Sequence, residues 1–459
     1  MNLIEHWYHP IININLTDII FVFALLFILI IYANYIQNKN IDNPAYKVFK
    51  KALIIKFFTS IIFALVVFFF YPGDSMVYFQ NLNCFNKVFF INPKHYFDIL
   101  LEGNKMEYWS YFNHHTGYPA HYMWKDPNAV FVSRFFSPFM FFTYNSFFLS
   151  TIIAGLIGFS GIWKLYITFC NIYPGIENKL AFAIILFPSL NFWSSGIMKD
   201  TLTLSAMGWL IYGFYFFFIT KKIKTKYIFF IIFSSLLIIN IKSYILLALI
   251  PGVFVWLFFN QIKNIKSKIF KILFAPVLLI VITIAASIIM SSLSKSMGPY
   301  GTIDESLKQA QIIQEDLTRS EQYGENYYDI GKFDATPMGA LSKAPIAIIS
   351  GIFRPFIWEA RNPFVILSGL ESLFMLGLLF YTIKKLGFIK FIQNISSSPI
   401  LVFSFLYVIV FGFGVGLASA NFGALVRYKI PLLPFYISGL FILTNMITKK
   451  DEVKRIKIK

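Results

Sequence analysis

The stretch Arg354-Pro355-Phe356-Ile357-Trp358-Glu359-Ala360-Arg361-Asn362 sets two guanidiniums and a carboxylate close together in the chain. A guanidinium is a planar fork of donors that matches the paired oxygens of a phosphate or carboxylate. An anion held by Arg354 and Arg361, with Glu359 orienting one of them, is one reading; a local salt-bridge collar is the other. The choice of cation adds weight to the first. Of the 40 basic residues only Arg134, Arg319, Arg354, Arg361, Arg427 and Arg455 are arginines, so where one occurs its geometry is the expected reason.

Four further patches carry chemistry. Gly73-Asp74-Ser75, followed by Tyr78, puts a carboxylate at the end of an apolar run. A general base or an acceptor-orienting group has this form, and so does a helix-ending Pro-Gly-Asp turn. Pro188 to Gly196 leads to Lys199-Asp200 at the start of another apolar run; a helix beginning there offers N–H donors and a positive dipole end to an anion, or is a plain hairpin. Asn421 to Lys429, with Arg427 and Tyr428, precedes Pro431 and Pro434, and Lys242 sits in the short connection Asn240 to Tyr244. Asp74 and Glu359 are the catalytic candidates; Lys199 and Lys429 join Arg354, Arg361 and Arg427 as phosphate-binding candidates; Tyr78, Asp200, Lys242, Trp358, Asn421 and Tyr428 are substrate-binding candidates. Glu371 is a lone acid inside an apolar run, a costly place for a charge. His114, His115, His121 and Asp126 match no standard metal spacing, and no phosphate-cradling glycine loop or nucleophile elbow is present. No cofactor is expected, and nothing in the chain supports a divalent cation.

The elements that must position these residues are membrane helices. A chain of 459 residues that is 57% hydrophobic and 14% charged, with 56 phenylalanines, does not form an ordinary soluble surface. Apolar runs near 17–35, 52–71, 143–163, 180–193, 201–220, 227–241, 244–260, 270–291, 363–382, 399–418 and 430–447 predict an all-α polytopic bundle of about eleven spans, forming one membrane domain. The runs 180–193 and 227–241 are short enough to be half-spans or re-entrant elements. Lysine and arginine are retained on the cytoplasmic side, and placing the N-terminus outside and the C-terminus inside puts 24 of the 40 basic residues in inner segments, among them Lys39 to Lys56. The net charge of +18 then reflects topology and anionic lipid, and nucleic acid is not a needed partner. The N-terminal MNLIEHWYHP lacks the basic region of a cleavable leader, so the first run is expected to remain. Two large outer connections, 72–142 and 292–362, carry the remaining polar chemistry. The first is rich in Tyr, Trp, Phe and His, as interfacial helices are. In the second, Thr302-Ile303-Asp304-Glu305 reads as a capping box opening a polar helix.

On Gly73-Asp74-Ser75 with Tyr78, the aromatic segment behind it, Pro188 to Asp200, Arg354-Pro355 with Trp358-Glu359, and Asn421 to Pro434, the chain resembles bacterial integral membrane glycosyltransferases of the GT-C type and the related Wzy-like polysaccharide polymerases. The likeness is architectural over most of the chain and motif-level only at those patches. It implies a protein of the bacterial cytoplasmic membrane that transfers sugar from a polyprenyl-linked donor to a glycan or lipid acceptor on the outer face. It also implies that Asp74 takes the role of the family's acidic residue in the first outer loop. Many members have paired acids there; here Ser75 and Met76 follow Asp74. A lipid-linked oligosaccharide flippase or other transporter is the rival expectation, since it too holds a pyrophosphate with cations, and a structural membrane subunit is a third.

Overall fold

The computed structural model describes residues 16–70, 73–263, 302–317 and 327–458. The apolar run 270–291, Arg319, and the N-terminal decapeptide fall outside them. Among the described residues eight helices are long and apolar enough to cross a membrane, and the only β pairing is two isolated bridges: the chain is an all-α membrane protein. Set against the eleven expected spans, the run 180–193 is broken into short pieces, 227–241 and 244–260 form one kinked helix, and 270–291 is not described.

The chain divides into two compact units. The first comprises residues 1–172, 185–217 and 222–242. It opens with α1 (Leu16–Lys39) and α2 (Phe49–Phe69). Helix α1 is apolar and almost nowhere buried, so its surface is suited to lipid rather than to protein. Residues 73–142, expected as an outer connection with interfacial helices, form α3 (Asp74–Ile91), α4 (Pro93–Glu102), α5 (His121–Trp124) and α6 (Pro127–Met140). Phe85, Tyr96, Ile99, Phe112, Trp124 and Val130 enclose an apolar core between them. Arg134 is spent here: its Nε, at 3.0 Å, and Nη2 both donate to the Leu100 carbonyl near the end of α4.

In the same unit α7 (Phe147–Ile172) packs against α10 (Lys199–Phe214) along small residues. A Cβ on Gly161 would stand 2.0 Å from the Ser205 carbonyl oxygen, and one on Gly208 would stand 2.0 Å from that of Gly161. Lipid tails are as apolar as side chains, so such close backbone approach supplies the van der Waals gain that holds membrane helices together.

The second unit comprises residues 173–184, 218–221 and 243–459. The chain reaches it first through α8 (Glu177–Ala181), which continues as a π turn over Phe182–Leu186; α9 (Pro188–Trp193) then returns to the first unit. Between the two, Phe187 is extended (ψ 127°) because it precedes proline. The long α11 (Thr225–Lys263) passes from one unit to the other at Lys242, whose φ of −148° and ψ of 71° interrupt it. After it come α12 (Ile303–Leu317), whose first turn Thr302 Oγ1 caps by accepting from Glu305 N at 3.1 Å, then α13 (Pro337–Ser342) and α14 (Ala344–Phe353). The unit closes with α15 (Pro363–Leu386), α16 (Phe388–Ser396), α17 (Pro399–Ala418), α18 (Phe422–Tyr428) and α19 (Leu433–Ile458).

Helix α14 is apolar but ten residues long, about 15 Å at the helical rise, half of a bilayer's hydrocarbon core. It is seated on α17 by glycines: a Cβ on Gly416 would stand 1.9 Å from the Ala347 carbonyl oxygen, and one on Gly351 1.9 Å from that of Gly412, whereas one on Gly414 would meet nothing within 4 Å. Gly416→Ala is therefore expected to destabilise the folded protein by about 1–3 kcal/mol, read as a lower detergent melting temperature. Gly414→Ala should match the wild type. Equal melting of the two variants would remove this packing from the account.

Candidate functional site

In the second unit the chain leaves α14 at Arg354 and makes a tight turn before α15. Glu359 organises that turn: its Oε2 accepts from Phe356 N at 2.9 Å, closing the short 3-10 turn Ile357–Glu359, while its Oε1 stands 3.3 Å from Arg354 Nε. Asn362 then caps α15 by accepting from Val365 N at 3.0 Å. Beneath the turn Lys429, 1% exposed, donates to the Arg354 carbonyl at 2.8 Å and to Ser372 Oγ at 2.9 Å.

A second strand of chain approaches from the other side. Tyr328 N donates to the Ala420 carbonyl at 2.8 Å, and Tyr327 bridges to Asn421. The Tyr328 ring stacks on Phe422 at 5.2 Å and carries the Arg354 guanidinium 4.8 Å above its face, a cation–π contact that also fixes the guanidinium plane. Burial pushes the Tyr328 phenol above its ordinary range, against the opposing pull of Ser419 and Arg354, so it is a neutral hydroxyl at physiological pH.

These segments enclose a cleft of about 370 Å³ walled by Tyr327, Asp329, Arg354 and Glu359, together with Trp358, Arg361, Tyr328 and Phe422. Its cations have different duties. Arg354 Nε is held by Glu359, but Arg354 Nη1 is buried with no hydrogen-bond acceptor among the described residues. An unsatisfied donor on a charged group is expensive, and an anionic ligand relieves that cost by accepting from it. Arg361 lines the same cleft and is exposed.

Of the residues expected at a site, the structure brings Arg354, Trp358, Glu359 and Arg361 together. Glu359, expected as a catalytic acid, has both oxygens engaged within the turn, and this makes it a positioning residue for Arg354. Lys429 and Asn421 adjoin the same loops, yet neither lines the cleft. Lys429 is buried against the Arg354 carbonyl, and Asn421 Oδ1 caps α18 by accepting from Gly423 N at 2.8 Å and Ala424 N at 3.3 Å. Arg427 and Tyr428, in the last turn of α18, are half-buried and do not line it either.

The remaining candidates belong to the first unit. Asp74 is the first residue of α3, behind Gly73, where a carboxylate complements the helix dipole. Tyr78, expected to bind substrate, is packed in the apolar core with Met76, Phe79 and Val132. Lys199 donates to Asp126 at 2.9 Å. Asp200 and Lys242, expected as separate polar contacts, form one buried ion pair, the carboxylate 1% exposed and the ammonium 8%.

Lys56 is the residue that sequence reasoning misplaced. Expected among the cations of an inner connection, it is buried within α2, donating to the Asn191 carbonyl at 2.9 Å and to Ser194 Oγ at 2.6 Å. These acceptors lie at the C-terminal end of α9, where carbonyls are left without helical partners and a cation is favoured. Asp329, behind the tyrosine pair Tyr327-Tyr328, carries no sequence pattern that separates it from a turn residue.

Comparison with protein-family models, curated proteins and solved structures found no significant match to this chain.

Removing one partner of a buried ion pair leaves the other charge uncompensated, whereas replacing both with apolar groups is often neutral. Asp200→Ala is expected to destabilise the protein by about 3–5 kcal/mol, and the pair Asp200→Leu with Lys242→Met to recover most of that loss, both read by thermal unfolding in detergent. A single variant as stable as the wild type would mean that the pair does not hold α10 to α11.

Proposed function

We propose that this protein is an integral membrane glycosyltransferase or polysaccharide polymerase that uses a polyprenyl-(pyro)phosphate-linked sugar on the outer face of the bacterial cytoplasmic membrane. The observation that carries the proposal is the buried Nη1 of Arg354, without an acceptor among the described residues, in a cleft shared with Arg361. A lipid-linked donor keeps its chain in the bilayer and its phosphate at the interface, so it needs guanidiniums at the end of an apolar element. Arg354 follows the ten-residue apolar helix α14 directly.

In the reaction the acceptor hydroxyl oxygen attacks the anomeric carbon, the bond from that carbon to the phosphate oxygen breaks, and the phosphate departs with the electron pair. Arg354 and Arg361 stabilise the charge that grows on the leaving oxygen. Donors fixed in advance by Glu359, Tyr328 and Lys429 need no reorganisation at that moment. The hydroxyl proton passes to a general-base carboxylate. Metal is not required by any of these steps.

A transporter of lipid-linked oligosaccharide is a second reading, supported by the interrupted helices. The extended break at Phe187, the interruption of α11 at Lys242, and the buried charges Lys56, Asp200 and Lys242 are features that transporters share. The two readings separate on one assay.

With purified protein, a polyprenyl-linked sugar donor and an acceptor glycan, wild type should form new glycosidic bonds. Arg354→Ala and Arg361→Ala, inserted at normal levels, should each lower turnover by about 10²–10³-fold, the usual loss of one transition-state donor. Translocation of donor across proteoliposomes without bond formation would favour the transporter. Unchanged turnover in both arginine variants would remove the cleft from the reaction.

A further inference from the structure

We infer that the cleft of the second unit takes a single pyranose ring together with its attached anion, the ring lying against Trp358 and the anion against the guanidiniums. The inference rests on the proposal that Arg354 and Arg361 hold a ligand's negative charge, and it adds what that charge is attached to.

Trp358 is 77% exposed although it is one of the bulkiest apolar side chains in the unit. It is also held in place. Its ring stacks on Phe356 at 4.9 Å with 15° between the planes, so one face is covered and the other is free to meet a ligand. The turn that carries both rings is the one closed by Glu359 on Phe356 N, and the same turn fixes Arg354 Nε. Indole face and guanidinium are thus set by one short segment and need no ordering when a ligand arrives.

A sugar ring presents C–H groups on its flat face and hydroxyls at its edge. The C–H hydrogens carry partial positive charge and favour the negative face of an aromatic ring, while the hydroxyls need acceptors that are not already engaged. Asp329 supplies one. Its Oδ1 accepts from Gly331 N at 2.6 Å, and no further hydrogen bond from the described residues engages the carboxylate. Two guanidiniums alone would suit any anion. An exposed indole and an underused carboxylate beside them suit an anion borne on a polyol.

The size sets the limit. A volume of about 370 Å³ lies near the lower end of the roughly 300–1,000 Å³ typical of small-molecule sites. That accommodates one ring and its phosphate. A carboxylate on the sugar would present the same chemistry as a phosphate at its anomeric carbon, so both enter the test.

Binding to the full-length protein in detergent can be measured by equilibrium dialysis with labelled glucose, galactose and N-acetylglucosamine 1-phosphates, glucuronic acid, the neutral methyl glycosides and inorganic phosphate. At least one sugar 1-phosphate is expected to bind ten-fold or more tighter than inorganic phosphate. Trp358→Ala should erase that preference while leaving inorganic phosphate within about two-fold of its wild-type affinity, and Trp358→Phe should keep most of it. Glucuronic acid binding more tightly than every sugar 1-phosphate would identify the anion as a carboxylate and would overturn the phosphate reading while sustaining the ring on Trp358. A wild-type protein with no preference for sugar over inorganic phosphate, or a preference that survives Trp358→Ala, would overturn the inference and mark the indole as a membrane anchor. The anion reading fails separately: in that case Arg354→Ala with Arg361→Ala would bind inorganic phosphate as well as wild type does.

Discussion

Buried ammoniums at three places where a helix stops or bends are the interactions on which this structure depends. Inside a bilayer a carbonyl released from a helix has no water to turn to, so irregular backbone persists only where the protein itself supplies a donor. Lys56 meets the Asn191 carbonyl and Ser194 Oγ at the end of α9. Lys429 meets the Arg354 carbonyl just beyond α14. Lys242 stands at the interruption of α11 and is balanced by Asp200. Each lysine is a compact cation on a flexible stem, suited to reaching a carbonyl from a neighbouring helix.

That use of lysine leaves arginine for a different task. The turn after α14 is secured from below by Lys429, from the side by Glu359 and from above by the Tyr328 ring. With its backbone and Nε fixed, Arg354 presents a rigid fork whose Nη1 no described residue engages. A loop tip supported this closely behaves as a preorganised wall, and preorganisation is what makes a charged group effective toward a developing negative charge. The glycines that let α14 settle onto α17 belong to the same device, because they fix where the turn begins.

Much of this was legible in the sequence. The cluster from Arg354 to Arg361 stands out because arginine is rare in a lysine-rich chain, and the structure places Arg354, Trp358, Glu359 and Arg361 around one cleft. The cap by Thr302 was readable because it acts locally. What escaped depends on distant contacts. Lys56 at the edge of an apolar run looks the same whether it snorkels to an interface or turns inward to a carbonyl 135 residues away. Asp200 and Lys242 read as two outer polar residues, and only the approach of α10 to α11 makes them a pair. Asn421 reads as a ligand contact until its side chain is seen capping α18. The run 180–193 is apolar enough for a span, but the conformational restriction before Pro188 divides it.

We propose that a lipid-borne phosphate occupies the Arg354–Arg361 cleft. Native mass spectrometry of the protein, released from membranes that contain polyprenyl-linked sugars, tests that directly. The wild type is expected to retain a polyprenyl phosphate or pyrophosphate species as an added mass, and the Arg354→Ala, Arg361→Ala double variant to lose it while keeping its ordinary phospholipids. A double variant that retains the species as fully as the wild type would contradict the account.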